Sequence, residues 1–342
     1  MSQKPDPQND AYQGATSVNA CMKGQVVKLD RGYPLIKDET GHTYRCEHAT
    51  ALVKGEQVRA VIGDNVLVSL PDSHEKAILE EILPRENELV RKDPTERAVA
   101  QVLAANFDQI FVVQPISDLN MKRLERELVL AHETGARVIV LLTKADLAES
   151  VDEIESIRHE VQKLIGEDTL LIMSADHLPS IEEVRKEFPE GTISILLGKS
   201  GVGKSSLINL LSGEEVQQTA EVRETDGRGR HTTVSREMIK LPEGGYVIDM
   251  PGVRGLGLWD ADDGIEQAFS DIEEYAATCK FRDCGHGSEP GCAVRAAVER
   301  GDLAPARLAS YHSLKQESKD IKTRREEAER IRIRTGHPRR RT

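Results

Sequence analysis

One stretch constrains the fold of this chain more than any other: residues 198–205, which read Gly-Lys-Ser-Gly-Val-Gly-Lys-Ser. They match the phosphate-binding pattern G-x-x-x-x-G-K-[ST] at every specified position. An apolar run at 193–197 leads into the stretch, and a helical pattern of leucines leads out of it. This succession of strand, glycine-rich loop and helix predicts a P-loop, and therefore a site for a nucleoside triphosphate.

Each residue type in this loop has a role in holding a triphosphate. The glycines let successive backbone N–H groups point at phosphate oxygens, and the helix start adds the positive end of its dipole. Lys204 is expected to reach the β- and γ-phosphates, and the Ser205 hydroxyl to ligate Mg²⁺. The predicted phosphate-binding residues are Gly198, Lys199, Ser200, Gly201, Val202, Gly203, Lys204, Ser205 and Ser206.

A second motif follows the apolar run at 138–142, and it consists of Thr143, Lys144, Ala145 and Asp146. This is the [NT]-K-x-D pattern with which GTPases read guanine. The Asp146 carboxylate can accept hydrogen bonds from the ring N1–H and the exocyclic amine, while the Lys144 stem lies along the base. The next predicted strand ends in Ser174-Ala175-Asp176, a turn whose backbone supports the base. Each match is weak alone, but with the P-loop they favour guanine; an ATP-using kinase or ATPase is the alternative.

A loop rich in glycine and arginine, residues 227–233, follows the P-loop helix. It predicts a first switch that a γ-phosphate orders. Thr232 and Thr233 are both candidates for the hydroxyl that ligates Mg²⁺, with Thr233 slightly favoured. His231 is the candidate for the group that places the attacking water, and a surface histidine without a catalytic role is the alternative.

The second switch is predicted at Asp249-Met250-Pro251-Gly252, after a strand at 246–248. Asp249 is expected to hold Mg²⁺ through a water, and the Gly252 N–H to meet the γ-phosphate. Position 253 is Val, and an apolar side chain cannot orient water. The catalytic residues predicted from the sequence are therefore Lys204, His231 and Thr233.

The order of these motifs is unusual, because the guanine motifs precede the P-loop. A sheet requires only that its strand ends meet at one edge, so a circularly permuted order is physically allowed. In this order the strand of the second switch comes last. The chain then leaves it directly for the C-terminal region.

The alternation of apolar runs and amphipathic segments predicts a mostly parallel, doubly wound α/β sheet. The predicted strands are 109–113, 138–142, 169–173 and 193–197, and the predicted helices are 118–134, 150–165 and 181–188. Before them, short alternating segments at 24–29, 42–46, 58–61 and 65–68 predict a small OB-type β-barrel. Its few aromatic residues, Tyr33 and Tyr44, lie among basic ones. Electrostatic docking on RNA and simple packing on the neighbouring domain both remain open.

Three cysteines and one histidine lie within fourteen residues: Cys279, Cys284, His286 and Cys292. This donor set suits a tetrahedral zinc ion, and four protein ligands leave no open position, which favours a structural role. The flanking segments 263–277 and 293–318 have helical patterns. The basic residues that follow fit either a solvated helix or a contact with RNA phosphates.

Length and charge fit a protein of several domains. The chain has 342 residues and a formal net charge of −12. It contains no apolar run long enough to span a membrane. Its odd, clustered cysteines indicate a reduced compartment, and we expect the cytoplasm. The predicted division is a disordered arm (1–19), an OB-type barrel (20–83), a linker (84–104), a permuted GTPase domain (105–260), a helical zinc domain (261–318) and a basic tail (319–342).

Taken together, the barrel, the zinc pattern and the motif order TKAD, SAD, GKSGVGKSS, GRGRHTT and DMPG resemble the RsgA family, circularly permuted GTPases of small ribosomal subunit biogenesis. The resemblance covers about residues 20–335. The family's commoner residue at position 143 is Asn, where this chain has Thr.

The resemblance implies an enzyme that hydrolyses GTP to GDP with Mg²⁺, carries one structural Zn²⁺, and is stimulated by the 30S subunit late in its maturation. The implied partners are the 30S subunit and its 16S rRNA; we expect a monomer and no membrane partner. In the family, a histidine at the position of His231 is proposed as catalytic. The alternative is a GTP-dependent clamp on RNA or the ribosome, in which hydrolysis is incidental.

Overall fold

The computed structural model describes residues 21–30, 33–50, 52, 59–70, 76–93, 99–214, 236–242, 244–250 and 256–334. Several predictions fall outside these residues: the N-terminal arm 1–19, the first switch with His231, Thr232 and Thr233, and Gly252 of the second switch. Among the helices that the structure describes, none is both long and apolar enough to cross a membrane.

Five strands near the N-terminus close into a small barrel. They are β1 (Met22–Asp30), β2 (Tyr33–Asp38), β3 (Thr43–His48), β4 (Asn65–Ser69) and β5 (Ala77–Ile82). Strand β1 pairs with both β2 and β4, and β5 joins β4 to β3. Buried apolar side chains fill the interior, among them Val26, Ile36 and Leu79. The predicted OB-type barrel is confirmed.

The barrel departs from the sequence pattern at three places. The alternation predicts neither β2 nor β5, and it predicts a strand at 58–61, whereas the described residues 59–61 are not in a strand. There the Val61 N–H donates to Asp64 at 2.7 Å, and the fully buried Asp64 carboxylate also accepts from Arg85 at 2.7 Å. A buried carboxylate thus takes the place of a strand partner, and alternation alone cannot reveal that.

The stretch predicted as a linker, 84–104, contains paired strands. Strands β6 (Glu88–Lys92) and β7 (Ala100–Ala105) run antiparallel. Leu89 and Leu103 are buried in the main core. A bridge from Ala104 to Ile62 attaches the pair to the barrel side. The sequence does not predict this pairing, because polar residues around 93–98 interrupt the apolar pattern.

Within the described residues, the central sheet has six strands. They are β8 (Gln109–Pro115), β9 (Arg137–Thr143), β10 (Thr169–Ile172), β11 (Ile193–Leu197), β12 (Arg236–Lys240) and β13 (Tyr246–Asp249). Their spatial order is β10-β9-β8-β11-β13-β12. All neighbours are parallel except β12, which runs antiparallel to β13. Since β8 and β9 are buried on both faces, they read as continuous apolar runs, as expected for a covered parallel sheet.

Helices pack on the two faces of this sheet. They are α1 (Met121–His132), α2 (Val151–Ile165), α3 (Leu178–Arg185) and α4 (Lys204–Ser212). Helix α1 begins later than the predicted 118, because the Asn120 side chain accepts from the Arg123 N–H at 3.0 Å and caps the helix there. Helix α3 begins earlier than the predicted 181, with the His177 side chain as its cap.

The barrel is bonded directly to the central sheet. Strand β1 pairs antiparallel with β12, with Lys28 opposite Glu237 and Leu29 opposite Arg236. The Lys28 ammonium also lies 2.6 Å from the Glu237 carboxylate. The two sheets therefore form one continuous hydrogen-bonded surface.

The C-terminal region is helical. Its helices are α5 (Asp262–Ala268), α6 (Ser270–Ala276), α7 (Ala293–Arg300) and α8 (Pro305–Arg334). The predicted helix 263–277 is two helices, because buried Phe269 leaves the helical conformation between them. Helix α8 continues through the predicted boundary at 318 and, at about 1.5 Å per residue, is ~45 Å long.

One buried arginine fastens α8 to the rest of the protein. The Arg307 guanidinium lies 3.0 Å from Glu125 of α1 and 2.9 Å from Asp271 of α6. It also donates to the Ala268 carbonyl at 2.6 Å and stacks on the Phe269 ring at 4.2 Å. Since Arg307 and Glu125 are both buried, losing either partner would leave an uncompensated charge in the core.

Candidate nucleotide and zinc sites

The predicted nucleotide-binding residues meet at one edge of the central sheet. Strands β8, β9, β10, β11 and β13 are parallel, so their carboxyl ends face the same way. Thr143 ends β9, Ser174 follows β10, Gly198 follows β11 and Asp249 ends β13. In open parallel sheets, ligands bind at this edge.

Glycine is required at two places in the P-loop. A Cβ on Gly198 would lie 2.5 Å from the Val113 carbonyl oxygen of β8, so the loop could not leave the sheet there. Gly203 has a φ of +104° and caps α4, and a Cβ there would meet Thr143 at 3.4 Å. Helix α4 begins at Lys204, so the N–H groups of its first turn open toward the loop.

Lys204 is folded inward within the loop. Its side chain is buried, and its Nζ donates to the Gly198 carbonyl at 2.6 Å and to the Lys199 carbonyl at 3.1 Å. Ser200 and Ser206 are exposed, and Ser205 is half-buried. The charge of Lys204 is therefore held at the centre of the loop that would surround the phosphates.

The two guanine motifs lie against each other. The Met173 N–H donates to the Leu142 carbonyl at 2.8 Å, and the Ala145 N–H donates to the Met173 carbonyl at 3.2 Å. Lys144 has a φ of +58°, a left-handed conformation that turns the chain sharply after β9. The Ser174 hydroxyl donates to Asp146 at 3.3 Å. This contact orients an exposed carboxylate whose remaining oxygen sites can accept from a base. Ala175 and Asp176 are also exposed in the same turn.

Thr143 connects the guanine motif to the P-loop. It is buried, and its hydroxyl donates to the Val202 carbonyl at 2.6 Å. The same hydroxyl lies 3.4 Å from the Gln114 carbonyl. The threonine that stands in place of the family's commoner asparagine thus bonds the two halves of the site.

Two oxygen donors suited to Mg²⁺ lie at the base of the P-loop. Asp249 pairs in register with Leu196, one residue before the end of β11, and its side chain is buried. Ser205 lies in the first turn of α4. A carboxylate and a hydroxyl next to phosphate oxygens are a donor set that Mg²⁺ prefers. Thr233, the third predicted ligand, lies outside the described residues, as do the proposed water-placing His231 and the second-switch Gly252.

A buried, hydrogen-bonded pair of side chains lies near this site, and the sequence motifs do not predict it. Gln114 of β8 donates from Nε2 to the Glu127 carboxylate of α1 at 2.5 Å, and both side chains are buried. Burial raises the pKa of Glu127 to about 7, against the opposing influence of Gln114, Arg123 and Lys204. A carboxyl group that titrates near neutral pH therefore lies close to the P-loop lysine.

The structure brings the four predicted zinc donors together in one cluster. The donor atoms of Cys279, Cys284, His286 and Cys292 all lie within 4.8 Å of one another. The His286 Nδ1 is 3.7 Å from the Cys279 sulfur and 3.5 Å from the Cys292 sulfur, and these two sulfurs are 3.9 Å apart. Tetrahedral donors at ordinary zinc distances lie about 3.5–3.8 Å apart, so the spacing of Cys279, His286 and Cys292 fits the ion closely. Cys284 completes the four-donor set within the 4.8 Å limit.

Backbone groups shape this cluster. The N–H groups of Ala293 and Arg295 point at the Cys279 and Cys292 sulfurs, at 3.3 and 3.4 Å. The Glu289 carboxylate accepts from the N–H groups of Gly285 and Gly287 on either side of His286. These contacts hold the loop in the form that presents its donors inward, and Glu289 was not among the residues that the zinc pattern singles out.

The fold, together with the residues at the carboxyl ends of its parallel strands, defines a P-loop GTPase. The order is circularly permuted, because the strands of the guanine motifs precede the P-loop strand in the chain. A family model described as RsgA GTPase matches residues 82–259, just over half of the chain. The chain belongs to the RsgA GTPase family, and it is an enzyme that hydrolyses GTP.

Curated relatives carry the same family name. The chain is 38% identical over 301 residues to the Small ribosomal subunit biogenesis GTPase RsgA of Streptomyces avermitilis, covering 88% of this chain and 80% of the relative. It is 41% identical over 259 residues to the protein of that name from Methanosarcina acetivorans, covering 75% and 69%.

Solved structures agree on the fold. The crystal structure of YjeQ from Thermotoga maritima matches with a TM-score of 0.65 and 28% identity, covering 87% of this chain and 99% of that one. The crystal structure of YloQ, described as a circularly permuted GTPase, matches with a TM-score of 0.62 and 27% identity, covering 89% and 97%. The predicted arrangement of barrel, permuted GTPase domain and helical Cys₃His region is confirmed.

Proposed function

We propose that this GTPase binds the 30S ribosomal subunit and hydrolyses GTP to GDP and phosphate late in small-subunit maturation, with the subunit stimulating turnover. The observation that carries the proposal is the similarity to named small-subunit biogenesis GTPases, which extends over 80% of the length of one of them. A role confined to the GTPase core would not require the barrel and the Cys₃His region to match as well.

The nucleotide chemistry follows from the P-loop edge. Thr143, Lys144, Asp146, Ser174 and Ala175 bind the guanine, and the residues from Gly198 to Ser206 bind the phosphates. Ser205, Asp249 and Thr233 hold Mg²⁺, which neutralises charge on the β- and γ-phosphates when it is bound. Gly252 contacts the γ-phosphate through its N–H.

His231 places the attacking water in this proposal. Position 253 is valine, so the second switch lacks the side chain that could do so. A loop rich in glycine holds reactive geometry poorly until a partner orders it. Contact with the 30S subunit supplies that ordering, and the free protein turns over slowly.

Local basic patches supply the RNA contact, because a chain of net charge −12 cannot attract RNA with its whole surface. One such patch lies on the barrel, where Arg45 and Lys76 lie 5.1 and 4.4 Å from the centre of the Tyr33 ring. Each also has an acidic neighbour, Asp30 and Glu47 respectively, which RNA phosphates would replace as the partner. The basic side chains of α8 supply a second. The protein acts as a cytoplasmic monomer on 16S rRNA, and its Cys₃His cluster holds one structural zinc ion.

The deciding experiment measures GTP hydrolysis by the purified protein alone, with 30S subunits and with 50S subunits, using ATP as the substrate control. We expect stimulation by 30S subunits only and negligible use of ATP. His231→Ala is expected to abolish most of the stimulated rate while leaving GDP affinity unchanged. Equal turnover with and without 30S subunits contradicts the proposal. A stimulated rate that survives His231→Ala points instead to a GTP-dependent clamp in which hydrolysis is incidental.

A further inference from the structure

Residues 256–258 (the exit segment) follow the second-switch motif in the sequence, and each of them is hydrogen-bonded to a different element of the fold. The Leu256 carbonyl accepts from the Arg126 guanidinium of α1 at 3.1 Å. The Gly257 carbonyl accepts from the Lys92 N–H of β6 at 2.9 Å. The Leu258 N–H donates to the Glu317 carboxylate of α8 at 3.1 Å. Three consecutive residues are thus bonded to three different elements.

Two of these three anchors are also bonded to each other. Arg126 and Glu317 form a two-fold ion pair, with Nη1 2.8 Å from Oε1 and Nη2 2.7 Å from Oε2. Both side chains are about 30% exposed, so water reaches the pair only partly. Burial alone would raise the pKa of Glu317, but Arg126 and the Leu258 N–H outweigh it and lower that pKa. The ion pair and the exit segment therefore form one hydrogen-bonded unit.

Helix α8 follows the exit segment beyond this unit. Ser318 donates to the Asp262 carboxylate at 2.9 Å, and Lys322 is ion-paired with the same group. One turn later, Arg325 lies 3.1 Å from Asp260 and stacks on the Trp259 ring at 4.6 Å. These residues share one face of α8, so the helix contacts residues 258–262 along more than two of its turns.

We propose that Arg126 and Glu317 are positioning residues for GTP hydrolysis. They fix residues 256–258, which follow the second-switch motif in the sequence, against α1 and α8. The physical basis is chain length: Asp249 ends β13, Leu256 is bonded to Arg126, and only six residues separate the two in the sequence, so the position of one anchor limits the positions open to the connection. This role acts on hydrolysis by the protein alone, in addition to any action on the ribosome.

Coupling of this kind works in both directions. If docking of α8 favours the reactive form of the second switch, the γ-phosphate must favour docking of α8 by the same factor. A partner that pulls on the C-terminal helix would therefore change turnover without touching the nucleotide.

The test is a set of variants measured by single-turnover GTP hydrolysis with enzyme in excess, together with affinity for a fluorescent GDP analogue. Glu317→Ala removes the acceptor of the Leu258 N–H, and we expect the rate to fall about tenfold with GDP affinity unchanged. Glu317→Gln keeps one acceptor oxygen and should lose less. Thermal unfolding and zinc content are measured for each variant to confirm that it is folded.

The charge-swapped double variant Arg126→Glu, Glu317→Arg separates positioning from simple attachment. It restores an ion pair between α1 and α8, but glutamate cannot donate to the Leu256 carbonyl and arginine cannot accept from the Leu258 N–H. We therefore expect the swap to recover thermal stability and to remain slow in hydrolysis. Recovery of the rate by the swap would overturn the proposal, as would a rate unchanged in Glu317→Ala.

Glu187→Gln is the matched control. Glu187 pairs with Arg137 at 2.7 Å, and its exposure of 23% is close to the 29% of Glu317. Arg137 begins β9 and so lies at the end of the sheet opposite the nucleotide. This variant should hydrolyse GTP at the unaltered rate. Adding 30S subunits to the unaltered protein forms a separate arm: absence of stimulation there would contradict the proposed function and leave the comparison of variants valid.

Discussion

The hydroxyl of Thr143 donates to the carbonyl oxygen of Val202 at 2.6 Å, between the end of β9 and the P-loop. Thr143 is buried, and the acceptor belongs to the loop that would surround the phosphates. The base-reading and phosphate-binding halves of the site are therefore bonded through one side chain. Since Val202 is buried as well, a hydrogen bond in this position is costly to lose.

Replacing Thr143 with valine should weaken nucleotide binding. The side chain keeps its shape but loses the donor, which leaves a buried carbonyl without its partner at a cost of about 1–3 kcal/mol. We expect GDP and GTP affinity to fall by about tenfold, measured by titration with a fluorescent GDP analogue. Thr143→Ser keeps the hydroxyl and should bind nearly as tightly as the unaltered protein. Equal affinity in the valine variant would show that this bond does not support the site.

Replacing Asp146 with asparagine should change the base that is preferred. The carboxylate is exposed beside Ser174 and can accept from the guanine N1–H and amine, whereas an asparagine amide also donates. Xanthine carries a carbonyl where guanine has its amine, so the variant should favour XTP over GTP. Competition of GTP, XTP and ATP for the site measures this. If ATP competes as well as GTP with the unaltered protein, the guanine assignment is wrong.

Removing the metal should loosen the C-terminal helices. Cys292 caps α7 and Cys279 lies just after α6, so the cluster ties these helices together. We expect about one zinc per chain by elemental analysis, lost in Cys284→Ser, with a lower unfolding temperature. Exposed Cys21 is the control: Cys21→Ser should keep the zinc. A full zinc content in Cys284→Ser would contradict the ligand assignment.

Stability should depend on pH through Glu127. Its folded pKa is raised to about 7 by burial, above the unfolded value of 4.5, so the folded state binds the extra proton between these values. Stability is therefore greatest below pH ~4.5 as far as this group is concerned, and it declines as pH rises toward about 7, by roughly 3 kcal/mol in all.

Glu127→Gln tests this directly, because an amide does not titrate. We expect the variant to gain up to ~3 kcal/mol over the unaltered protein at pH 8 and little at pH 5, measured by urea unfolding at both values. Glu160→Gln, at an exposed position of α2, should show no such pH-dependent gain. A constant difference between Glu127→Gln and the unaltered protein at both pH values would refute a raised pKa.

The sequence alone locates features that are built from residues close together in the chain. The P-loop, the TKAD motif and the Cys₃His spacing each place several groups within fourteen residues or fewer, so the pattern and the local geometry are nearly the same thing. The parallel sheet was also predictable, since apolar runs and amphipathic segments alternate along the sequence.

Contacts between distant residues could not be predicted in this way. Arg126 and Glu317 are 191 residues apart, and Lys28 and Glu237 are 209 apart. Each of these side chains looks like an ordinary surface charge until the chain is folded. Burial is equally hard to predict for Glu127. In the sequence it looks like a solvent-exposed glutamate of an amphipathic helix, but in the structure it is buried.

The pairing of β1 with β12 has a consequence for any attempt to divide the protein. Strand β12 is the last strand of the central sheet in space, and without the barrel its outer N–H and C=O groups would be unpaired. An uncovered strand of that kind recruits other chains and promotes aggregation. The barrel covers this strand where Lys28 and Leu29 pair with Glu237 and Arg236. We therefore expect a fragment that begins after the barrel to expose an unpaired strand edge and to aggregate more readily than the whole chain.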